Sequence, residues 1–139
     1  MQISNSSDAS EHEIASAVAG SVRKYKIIHN LASTVCESVD IKFVHILQPL
    51  IFVGKKKLSH NENIWKKNGF SSGNPLIYET FYREVTSNSV CDDYNYLDLS
   101  GCFNDIDEEV YIDSGHLNRI GNLIVGKKIN SYLNEKGLI

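Results

Sequence analysis

Between residues 10 and 39, Ile14, Val18, Val22, Tyr25, Ile28, Ala32, Val35 and Val39 recur every three or four residues. That spacing predicts a long helix with one buried face. Ser10 and Glu13 stand at its start in capping-box order. The period then changes. Ile41-Lys42-Phe43-Val44-His45-Ile46-Leu47 is β-branched, aromatic and almost wholly apolar, which predicts a strand covered on both faces, as in a parallel sheet. Pro49 ends it, because proline cannot donate to a ladder. Residues 51–75 read as a long irregular excursion, anchored by Trp65 and Phe70. Pro75 opens a second helix with Ile77, Phe81 and Val85 inward and Tyr78 and Tyr82 beside them. Asn95 to Leu99 is a short second strand, and Val110-Tyr111-Ile112 an extended approach to Asp113. The last helix runs from about Leu117 to Asn134 on Ile120, Ile124, Val125, Ile129, Tyr132 and Leu133. Gly121 and Gly126 permit close packing there, and Gly137 fits a C′ cap.

The order helix, strand, helix, strand, helix is an α/β pattern. At 139 residues and 42% apolar composition the chain suits one domain, residues 10–139, after a frayed polar tail at 1–9. No apolar run approaches the roughly 18 residues of a membrane span. With 14 basic and 17 acidic residues, the charge balance points to no nucleic acid and no anionic membrane. Lys55, Lys56 and Lys57 read as a solvated loop. No signal peptide is legible at the start, so the default location is the cytoplasm. Cys36, Cys91 and Cys102 have no Cys-x-x-Cys spacing and read as free thiols. His12, His29, His45 and His60 show no metal spacing, and His45 reads as a satisfied core or sheet-edge histidine. The acidic group Asp105, Asp107, Glu108 and Glu109 lacks the calcium-loop pattern. No cofactor or metal is expected.

The sharpest local feature is Asp113-Ser114-Gly115-His116. Nucleophilic catalysis by a hydroxyl needs an imidazole to take its proton and a carboxylate to orient that imidazole. Asp-x-x-His on a short turn brings both within reach. Taken alone, it equally describes a turn or N-cap aspartate beside an incidental histidine.

The wider stretch resembles the C-terminal block of the SGNH hydrolases, also called GDSL esterases or lipases. Asp113, His116, Asn118, Gly121 and Asn122 fall in the places of that block. Asp98-Leu99-Ser100, followed by Phe103, looks like the segment before it, and Val44 to Pro49 looks like the strand and proline after the third block. The resemblance runs from about residue 15 to 135. It implies a three-layer α/β/α fold with a flavodoxin-like parallel sheet, His116 as general base and Asp113 as its orienting acid. The reaction implied is hydrolysis of a small-molecule ester. No Gly-Asp-Ser nucleophile block and no Gly-x-Asn-Asp block occurs, so the chain reads as the C-terminal part of such a domain. The alternative is a non-catalytic remnant or interaction module. Either way, the 41–47 strand would carry an open apolar edge fit for a second copy or a complementing chain.

Gly69-Phe70-Ser71-Ser72-Gly73 formally matches a nucleophile elbow. An elbow needs a buried strand before its serine, and Asn61 to Asn68 is polar; a glycine/serine loop is the preferred reading.

Overall fold

A computed structural model describes residues 11–69, 75–87 and 96–139. Among the described residues there are four helices and a two-stranded parallel sheet: α1 (Glu11–Ser38), β1 (His45–Leu47), α2 (His60–Gly69), α3 (Pro75–Ser87), β2 (Tyr96–Asp98) and α4 (Arg119–Glu135). His45 lies opposite Tyr96, Ile46 opposite Leu97 and Leu47 opposite Asp98. The Leu99 amide extends the pairing to the Leu47 carbonyl at 2.9 Å. Parallel neighbours need a crossover, and α2 and α3 lie within it. Ser10, half of the expected capping box, and Phe70, Ser71 and Cys91 fall outside the described residues.

Apolar packing forms two clusters. Ile14, Val18 and Val22 of α1 meet Leu47 and, from α3, Tyr82 and Val85. Ile51, Phe52, Phe103, Val110 and Tyr111 form the other, with Trp65 of α2 and Ile124 and Val125 of α4 packed against them. Tyr82 donates its hydroxyl to the Gln48 carbonyl at 2.8 Å, tying α3 to the end of β1.

Several expectations need correction. The strand is three residues long, and Ile41 and Ile46 are exposed rather than covered. The 51–75 segment is not irregular throughout, because α2 occupies His60–Gly69. That helix also stands where an elbow at Ser71 would need a strand. Along α1, the stripe holds through Tyr25 and then fails: Ile28 and Val35, and Val39 just past the helix end, are exposed, while His29 and Ser33 are buried. The inner face there packs on aromatic rings, with His29 against Phe43, just before β1, and against His45 and Tyr96 of the sheet. Ile77 and Ile120 are exposed too, and Thr80 and Tyr82 take the inward positions on α3.

Both long helices end in the same motif. The Leu138 amide donates to the Leu133 carbonyl and the Gly137 amide to Asn134, with Gly137 at φ 63°. This is a Schellman closure at the expected glycine. At the end of α1, Asp40 takes the left-handed position (φ 56°), and Ile41 donates back to Cys36. Aspartate tolerates that conformation better than most residues.

Candidate functional site

The Asp113–His116 turn sits at the tip of a loop closed at its base. The Asn118 amide donates to the Val110 carbonyl at 2.8 Å, and the Ile112 amide to the His116 carbonyl at 3.0 Å. Tyr111 and Leu117 form an isolated antiparallel bridge. The expected extended approach at 110–112 is therefore one arm of this loop, not a strand of the sheet.

Within the turn the two carboxylate oxygens of Asp113 have separate tasks. Oδ1 accepts from the amides of Gly115 (2.8 Å) and His116 (2.7 Å). Oδ2 lies 2.7 Å from His116 Nδ1. The two amides, and then the imidazole, hold the Asp113 carboxyl below the usual carboxylate range despite slight desolvation. An ionised carboxylate at Nδ1 selects the tautomer with its proton there. Nε2 is then left with its lone pair, the state required of a general base. The side chains are 81% exposed for His116 and 51% for Asp113. Asp113 is thus a turn residue and an imidazole partner at once, and it is not the N-cap of α4.

That cap is Asn118. Its Oδ1 accepts from the amides of Ile120 and Gly121, and its Nδ2 donates to the Glu109 carbonyl at 2.6 Å. One side chain therefore starts the helix and latches the loop base. Asn122 donates to the Leu117 carbonyl at 3.1 Å. Gly121 is buried, and a Cβ there would stand 2.8 Å from the Val110 carbonyl oxygen. The backbone of α4 approaches the loop closely only because no side chain intervenes.

Sequence reasoning missed the main support of this loop. Glu62 is fully buried on α2. Its Oε1 accepts from the amides of Val110 (2.9 Å) and Tyr111 (3.2 Å). Its Oε2 accepts from the Ser59 amide at 2.9 Å and lies 3.2 Å from the ammonium of Lys56, whose side chain is 4% exposed. Burial pushes the Glu62 carboxyl up, but the amides of Ser59, Val110 and Tyr111 and the Lys56 ammonium outweigh it and hold it below its ordinary value. Lys56 also donates to the Ile106 carbonyl at 3.1 Å; it is not part of a solvated basic loop. The available signal was Ser59-x-x-Glu62, a capping box in which Ser59 Oγ accepts from the Glu62 amide.

Other structure borders the turn. The Ile51 amide donates to the Ser114 carbonyl at 3.3 Å. At the end of α2, a Cβ on Gly69 would lie 2.8 Å from Phe52 and 2.9 Å from Ser114 Cβ. Phe52 stacks on Tyr78.

Of the remaining candidates, Cys102 packs beneath the loop against the cluster that holds Val110 and Tyr111, and the histidines His29 and His45 lie between α1 and the sheet. His45 accepts or donates a hydrogen bond with the Tyr25 hydroxyl and stacks on Tyr96. Burial lowers the pKa of His29. It does the same for His45, with the neighbouring His29 adding to the effect. Cys102 is a half-buried free thiol pushed up to about 11, chiefly by burial. Among the described residues no cluster of three His, Cys, Asp or Glu side chains could hold a metal ion, and no helix is long and apolar enough to cross a membrane.

Comparisons of the chain with protein-family models, curated proteins and solved structures give no match.

Proposed function

We propose that this chain carries the acid–base half of an SGNH-type serine ester hydrolase. The observation that carries the reading is the 2.7 Å contact between Asp113 Oδ2 and His116 Nδ1, which leaves Nε2 open to solvent. His116 would take the proton of a serine hydroxyl as that oxygen attacks an ester carbonyl, then return it to the leaving alcohol. Asp113 would orient the ring and stabilise the imidazolium. Another segment or chain would supply the serine and the oxyanion donors. The substrate would be a small-molecule ester. The wider fold would be a three-layer α/β/α domain with a flavodoxin-like sheet, of which β1 and β2 are two neighbouring strands. The roles of Asn118 as cap and latch and of Gly121 at the contact with Val110 give physical reasons for the spacing in the resembling block.

The test is complementation. Hydrolysis of p-nitrophenyl acetate is measured for this chain alone and for the chain joined to the Gly-Asp-Ser, second and third blocks of an SGNH hydrolase. Joining is expected to raise the rate about 100-fold or more, and His116→Ala to abolish the gain. A gain that survives His116→Ala overturns the reading.

One observation favours the alternative of an interaction module. His116 is 81% exposed, and a solvated imidazole has none of the water exclusion that strengthens electrostatics in a catalytic site. Under that reading the joined protein shows no gain at all.

A further inference from the structure

After Tyr25, the buried line and the apolar stripe of α1 diverge. A helix turns about 100° per residue, so Ile28, Val35 and Val39 lie roughly a quarter to a third of a turn round from buried His29. Leu31 lies further round, with Ile27 beside it. These five side chains are between 52% and 66% exposed, and Ile41 continues the patch just beyond the helix. Six aliphatic side chains at such exposure present several hundred Å² of apolar surface. That is the scale of the roughly 800 Å² each partner contributes to a stable interface, and at the upper end of what a monomer leaves bare.

A two-fold axis through the middle of the stripe sets apolar residues against apolar residues at its centre. About a point between Leu31 and Ala32, Ile28 stands opposite Val35, and Lys24 stands opposite Val39, next to Asp40. Lys24 and Asp40 are both exposed. A surface self-complementary about a two-fold axis is what an isologous dimer requires.

We propose that α1 is a homodimer interface, with a second copy of this chain docked antiparallel along Ile28, Leu31, Val35 and Val39. Antiparallel docking sets Ile28 against the partner's Val35 at both ends and brings Leu31 and Ala32 to the centre. It also places each Lys24 ammonium near the partner's Asp40 carboxylate, so the charges favour this direction of pairing.

Sedimentation equilibrium of the full chain between about 1 and 100 μM is the test. A closed dimer is expected. Leu31→Glu and Val35→Glu should each weaken it about 30-fold or more, while far-UV circular dichroism stays unchanged because both positions are exposed. Lys24→Glu should weaken it several-fold at low salt, with the difference shrinking as salt is added. A monomer at 100 μM, open-ended aggregation, or a dimer indifferent to both glutamate substitutions overturns the proposal. A dimer indifferent to Lys24→Glu overturns the antiparallel direction.

Discussion

The loop at 110–118 and the second half of α1 turn different kinds of surface outward. Around the loop, each Glu62 oxygen has two donors, and Asn118 satisfies the first amides of α4 while latching the loop base. On α1, His29 lies inward among the rings of Phe43, His45 and Tyr96, buried Ser33 donates its hydroxyl to Glu37, and the aliphatic residues stand outside. The first region is closed by directional bonds that fix a geometry. The second offers apolar surface that any partner of matching shape can cover. A positioned imidazole belongs with the former and an association surface with the latter.

The contrast breaks most sharply at Glu62. Glu62→Ala leaves the Lys56 ammonium buried without its carboxylate and frees two loop amides, a loss of about 3–5 kcal/mol in urea unfolding. Gly121→Ala comes next, at about 1–3 kcal/mol, because the new Cβ meets the Val110 carbonyl unless α4 moves. Asn118→Ala should cost about 1 kcal/mol through the lost cap, with faster amide exchange at Ile120 and Gly121.

Acid should separate the two regions by pH. The lowered pKa values of His29 and His45 mean that the unfolded chain binds protons first. Their contribution is present above about pH 6.5 and is lost as pH falls through the folded-state values. Glu62 and Asp113 are likewise lowered, and their contribution persists until about pH 4 before fading. Urea unfolding followed against pH should therefore lose stability in two stages; a single stage below pH 4 would remove the distinction. The smallest effect belongs to Asp113→Asn. Stability should change by less than about 0.5 kcal/mol at this exposed turn, while ¹⁵N NMR shows the His116 ring passing from one tautomer to a mixture.

Legibility in the sequence followed the range of the deciding interaction. The Asp113–His116 pair, the Pro75 start of α3 and the Gly137 cap each depend on neighbours within a few residues, and each appears as its local pattern suggests. Glu62 and Lys56 were hidden because their partners, Val110 and Tyr111 for the one and Ile106 for the other, lie some fifty positions on. The Ser59 capping box could have revealed the helix but not the loop it carries. On α1, periodicity identified the helix correctly and its inner face only as far as Tyr25. From there the rings of Phe43, His45 and Tyr96 decide which side turns inward.

The division of labour within Asp113 has a kinetic consequence. One oxygen closes the turn and the other holds the ring, so both contacts span at most three residues. Closing so short a segment costs little chain entropy compared with bringing β1 to β2. The orientation of the imidazole is thus settled within the turn itself, on the timescale of local loop closure rather than of sheet assembly. Transient openings of the sheet that leave the 110–118 loop closed should also leave His116 aimed as before.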